Sequence, residues 1–126
     1  MSLITPTSVM QQLSVEALCE TVDYYYCALI DPTEQMGRQF SNPLNAPAML
    51  MNLGQLLSGL HLTKSMNVLD FAAGTCWLSR YLNQMQCVTI SADASKAALA
   101  IGRRFFDEHP IIGKAKAPPT FLHFNG

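Results

Sequence analysis

The stretch V-L-D-F-A-A-G-T-C-W, Val68 to Trp77, reads as a strand that ends in an acid and breaks into a glycine-bearing loop. Nucleotide-binding loops have this build, but they carry three glycines where this one carries Gly74 alone. A dinucleotide loop, G-x-G-x-x-G, needs glycines at 72, 74 and 77, the last because helix and strand must press together there. Position 77 is a tryptophan, and Asp70 at the strand end would repel a pyrophosphate, so a nicotinamide enzyme is disfavoured. Cys76 stands where the next helix begins, a position that can lower a thiol pKa. No base lies near it in sequence, so a small packed residue is the favoured reading over a reactive thiol. Cys19, Cys27, Cys76 and Cys87 form no C-x-x-C pair and lie in apolar surroundings, as reduced core thiols do. His61, His109 and His123 have no metal-ligand spacing and read as structural or surface residues.

The pattern D-x-G-x-G-x-G fits the loop better, with Asp70 in the acid's place and Gly74 at the central glycine. Here the sequence resembles the class I S-adenosylmethionine-dependent methyltransferases, whose first motif reads V-L-D-x-G-x-G-x-G. The match runs Val68-Leu69-Asp70-Phe71-Ala72-Ala73-Gly74-Thr75-Cys76. The cofactor of that family has an amino group, a carboxylate and a sulfonium but no phosphate, so an acid beside the loop is an asset. A second match is T-I-S-A-D-A-S, where Asp93 stands 23 positions after Asp70 in the place of the family's ribose acid. A carboxylate there accepts hydrogen bonds from both ribose hydroxyls, as in dinucleotide folds, where the interval is about 20 residues. The continuation A-S-K-A-A-L also looks like the family's. The segment T-F-L-H-F-N-G resembles its third strand and following turn, where a side chain meets the adenine amino group; Asn125 sits near that place. The resemblance spans about Leu60 to Gly126. It implies that Asp70, Ala72, Ala73, Gly74, Asp93, Ala94 and Asn125 bind S-adenosylmethionine or S-adenosylhomocysteine. Ala72 and Cys76 replace glycines: Ala72 is expected at φ < 0 or with a slight backbone shift, and Cys76 is small enough to be accommodated.

The elements that must position these residues follow from periodicity. Residues 8–30 place Leu13, Leu18, Val22, Tyr25 and Leu29 at helical spacing, and Asp31-Pro32 ends the helix. A loop through Gly37, Pro43 and Pro47 leads to a second helix over Ala48–Leu60, apolar nearly all round and so expected to be buried or to lie on another apolar surface. Met66–Phe71 reads as a strand, Thr75–Gln84 as an amphipathic helix and Cys87–Ala92 as a strand. Ser95 then caps a helix that Pro110 ends, and Thr120–Phe124 reads as a third strand after a loop with three prolines. Strand, helix, strand, helix, strand implies a partial Rossmann-like, doubly wound parallel α/β sheet preceded by N-terminal helices. The division is 1–63, a helical segment, and 64–126, the first half of a methyltransferase-like nucleotide-binding fold. The aromatic run Tyr24-Tyr25-Tyr26 reads as packing before it reads as a lid over the site.

The chain has 126 residues, the size of one modest domain, and only 13% of them are charged against roughly 25% in an average soluble chain. The surface is therefore unusually apolar or partly covered. Net charge is -1, with residues 1–63 at -4 and the rest at +3. That split favours packing of the two parts together and is too diffuse for a nucleic-acid face. No apolar run spans a bilayer and no signal peptide opens the chain, so a cytoplasmic protein is expected. The methyltransferase core that the resemblance implies has seven strands, of which three are found here, with the fourth normally on the far side of the first. Catalytic residues are therefore unassigned, and an incomplete methyltransferase is the expectation. The alternative is a non-catalytic binding or assembly domain that retains part of the fold. An unpaired first strand would need cover from the N-terminal helices, a complementing segment or a second chain in a dimer.

Overall fold

A computed structural model describes residues 7–8, 14–111 and 119–124. The elements are α1 (Val15–Cys27), two 3-10 turns (Pro32–Gln35 and Arg38–Phe40), α2 (Ala46–Gly59), β1 (Asn67–Phe71), α3 (Trp77–Gln84), β2 (Val88–Asp93), α4 (Lys96–Glu108) and β3 (Thr120–His123). The strands lie in the order β1-β2-β3, all parallel, with Leu69 opposite Ile90 and Ile90 opposite Thr120. The architecture is Rossmann-like, and the types and order of these elements agree with the periodicity. Boundaries shift for local reasons. Helix α1 stops at Cys27, and Ile30, fully exposed, has no core on which a further turn would pack. Helix α2 begins at Ala46 because Pro47 fits a first turn, where a missing N–H costs nothing.

Both connections step across the sheet in the same direction, and right-handed crossing then puts α3 and α4 on the same face. Asp70, Thr89, Ser91 and Phe121 point to that face. Asn83 on α3 donates to Thr89 Oγ1 at 3.2 Å, and on the α4 side Phe106 meets Phe121 edge to face at 6.0 Å. The other face carries Leu69, Phe71, Val88, Ile90 and Leu122, all exposed; Phe71 is 66% exposed and stacks on Phe124 at a centroid distance of 5.2 Å. The two crossover helices thus cover one face of these three strands, as in one half of a doubly wound parallel sheet.

Two expectations are narrowed by the structure. Helix α2, expected to be buried or to lie on another apolar surface, has no buried residue within the chain, and Met51 and Leu56 stand at least half exposed. Its contacts reach mainly to the turn at 38–40. Among the described residues, the N-terminal helices are not packed along the edge of β1: α1 packs on α4 instead. Asp23 explains that choice: its Oδ1 accepts the Ser95 hydroxyl at 2.6 Å and the Ala97 N–H at 3.0 Å, at the positive end of α4.

The apolar core is small. Ala73, Cys76, Leu99 and Phe106 are buried together, with Ile111 and Phe121 against them. Close approach of α4 to the loop before α3 rests on Gly102. A Cβ there would lie 2.7 Å from the Thr75 carbonyl oxygen and 2.9 Å from Cys76 Sγ. Gly102→Ala is therefore expected to cost about 1–3 kcal/mol by overpacking. Gly54→Ala in α2, where a Cβ meets open space, should instead gain about 0.5–1 kcal/mol from helix propensity. Urea denaturation of the two variants checks the contrast; equal effects would remove the close-approach argument.

Candidate functional site

The loop after β1 takes the left-handed region at alternate positions: Ala72 at φ 59, Gly74 at φ 54 and Cys76 at φ 63. These are the three positions at which the D-x-G-x-G-x-G pattern has glycine. Ala72, expected at φ < 0 or with a slight backbone shift, does not take the negative φ. The loop's hydrogen bonds fix its path: Ala73 N–H donates to Ala92 O at 3.0 Å and Cys76 N–H to Ala73 O at 2.8 Å. With both ends held, the residue between β1 and Ala73 must turn left-handed whatever its side chain. Each such non-glycine residue carries about 1–2 kcal/mol of strain.

Asp93 joins this loop to the next one. Its Oδ2 accepts Gly74 N–H at 2.7 Å, and its Oδ1 accepts Ser95 N–H at 2.7 Å. The carboxylate is half-buried, and each oxygen retains acceptor capacity beyond its one backbone bond. Ser95 caps α4 as expected, its hydroxyl accepting Ala98 N–H at 3.0 Å while donating to Asp23.

Asp70 is placed differently. It is buried, and its Oδ2 accepts the Ser79 hydroxyl at 2.6 Å; Ser79 Oγ lies 2.6 Å from Ser91 Oγ. Burial raises its pKa, against hydrogen bonds from Ser79 that lower it. The carboxyl group thus ties α3 to the sheet from below the loop. Ala73 is buried in the core, Gly74 is half-buried, and Asn125 lies outside the described residues. Cys76 is fully buried and burial pushes its thiol up to about 12, so it packs and does not react at neutral pH.

A cleft of about 340 Å³ opens beside Asp93, at the carboxyl ends of β2 and β3. Glu16, Glu20 and Asp23 of α1 line one side; Ala94, Lys96 and His123 line the other. His123 Nε2 lies 3.1 Å from the Ala94 carbonyl, which can only accept, so that nitrogen carries a proton. Tyr26 reaches the loop from α1: a Cβ on Gly74 would lie 3.4 Å from its hydroxyl. Burial raises the Tyr26 pKa, with Asp93 adding to the effect. Tyr24 and Tyr25 of the same run are exposed.

Of the residues singled out in the sequence, the structure brings Asp93, Ala94 and Gly74 together, with Ser95, read there as a helix cap, held by Asp93; Asp23, His123 and Gly102 were missed. The first two meet the site only through packing across 72 and 29 positions of chain. Gly102 had a signal, since glycine inside a helical pattern usually has a packing reason. No protein-family model, curated protein or solved structure matches the chain.

Two outcomes follow from the loop and the cap. Ala72→Gly removes left-handed strain at an exposed position and should raise stability by roughly 0.5–1 kcal/mol after the unfolded-state entropy of glycine is offset, read from chemical denaturation. The Asp23 pKa is lowered, chiefly by the Ser95 hydroxyl and then by the Ala97 N–H. An acid depressed in the fold stabilises above its ordinary value, and that contribution disappears as pH falls through the lowered one. Asp23→Ala should therefore be less stable than the unaltered chain at about pH 6, and the gap should close on acidification; a gap independent of pH would contradict the assignment.

Proposed function

We propose that the chain is an S-adenosylmethionine-binding, methyltransferase-like domain, with the cofactor held between the Ala72–Cys76 loop, Asp93 and the cleft beside it. The observation that carries this reading is the loop backbone, left-handed at 72, 74 and 76, where the motif it resembles has its glycines. Three further features support it. The cleft lies at the carboxyl ends of parallel strands, where ligands of such sheets bind, and its volume is at the lower end of small-molecule sites. Asp93 borders both loops with acceptor capacity left for ribose hydroxyls. The acidic side of the cleft, Glu16, Glu20 and Asp23, suits a cofactor with an amino group and a sulfonium and disfavours a phosphate.

In this reading Ala94 and His123 border the adenine, and Tyr26 stands over Gly74 as the contribution of α1 to closing the site. Asp70 acts as a positioning residue: through Ser79 it fixes the start of α3 and so the far end of the loop. The cofactor supplies the methyl group; no residue is assigned to its transfer. A second reading is a binding or assembly domain without chemistry, favoured by the exposed apolar sheet face and the free edge of β1.

Isothermal titration calorimetry with S-adenosylmethionine and S-adenosylhomocysteine separates the two. The expected result is saturable binding, lost in Asp93→Ala and weakened at least tenfold in Ala94→Phe, which fills the cleft without altering the loop. Thermal denaturation of both variants establishes that they fold. Absence of heat at millimolar cofactor would leave the assembly reading.

A further inference from the structure

Helix α2 and the bare face of the sheet each lack what the other offers. Residues 39–63, which include the whole of α2, contain no Asp, Glu, Lys or Arg. Met49, Leu56 and Leu60 fall on one stripe at spacings of seven and four residues, with Leu50 beside them, and all four are exposed. The face built from Leu69, Phe71, Val88, Ile90 and Leu122 also has no charged side chain, and each of these five is at least 39% exposed. The shapes match too. Three strands about 4.8 Å apart make a strip about 10 Å wide, the diameter of one helix. At 14 residues α2 is about 21 Å long, against about 13–20 Å for strands of four to six residues.

Within one chain the two surfaces do not meet. The packing of α2 is on the turn at 38–40, and Gln39 of that turn donates to the Tyr81 hydroxyl of α3 at 3.1 Å. The helix is thus moored to the layer of α3, not to the bare face. We propose that the bare face receives α2 of a second copy of this chain, and that two copies make the contact reciprocally, as a dimer. The exposed parts of these side chains supply roughly 400 Å² on each side of one helix-on-face contact, about 800 Å² in all, which is too little for a stable pair. Made twice, the contact buries about 1,600 Å², the size of a standard specific interface. The absence of charge on both surfaces suits burial, since no ion has to be desolvated or paired. Neither surface takes part in the Ala72–Cys76 loop or the cleft beside Asp93, so the inference does not depend on the cofactor reading.

Sedimentation equilibrium of the full chain tests this. The unaltered chain should show twice the mass of one copy, and Leu56→Glu on α2 or Ile90→Lys on the face should each weaken association at least tenfold. Mixed in equal amounts, the two variants retain one intact contact, the α2 of the face variant on the face of the helix variant, and should form a pair that neither forms alone. A strict monomer at millimolar concentration, undiminished association of either variant, or no gain on mixing would overturn the proposal. Pairing face to face, for example, would leave Leu56→Glu dimeric. Both substitutions are at exposed positions, and circular dichroism establishes that the variants fold. Should one not fold, amide exchange of the unaltered chain at low and high concentration decides: slowing at α2 and the strands supports the contact, and exchange independent of concentration overturns it.

Discussion

The carboxylate of Asp93 accepts the Gly74 N–H with one oxygen and the Ser95 N–H with the other, each at 2.7 Å, and so gives the loop after β1 and the turn after β2 a common anchor. Much of the carboxyl end of the sheet depends on it. Gly74 is held in the middle of a loop that is left-handed at three alternate positions. Ser95 is held where its hydroxyl can cap α4 and meet Asp23, which brings α1 over the site. Hydrogen bonds from backbone N–H to an ionised carboxylate are roughly twice as strong as neutral ones, enough to offset strain at Ala72 and Cys76.

Beneath that end, the contact between α3 and the sheet is polar. Asp70, Ser79 and Ser91 form one hydrogen-bonded group, and Asn83 with Thr89 form another. A small apolar core is thereby supplemented by buried polar pairs, which fix register and helix position because any slip would leave donors or acceptors unpaired. The opposite face has the reverse character. Leu69, Phe71, Ile90 and Leu122 are apolar and exposed, since both crossovers run to the other side. The low charge content of the chain has its counterpart there and along α2.

Much of this was legible in residues alone. The strand–helix alternation from Met66 onward, the Ser95 cap and the position of Asp93 all follow from local pattern, because hydrophobic period and capping chemistry act within a few residues. Of the two expectations for α2, burial within the chain is not met for the same reason: an all-round apolar helix says only that it has the means to be buried, and what covers it is not a local property. Ala72 was misjudged because propensity disfavours left-handed alanine, while hydrogen bonds at both ends of the loop impose it.

The sequence by itself determined the type and order of the elements and the loop at the end of the first strand, since these depend on apolar spacing and on residues a few positions apart. Tertiary structure alone decided that Asp70 faces Ser79 and that Asp23 caps a helix 72 positions away. Those pairings depend on the hand of the crossovers and on which faces meet, and neither is written in the spacing of any one segment.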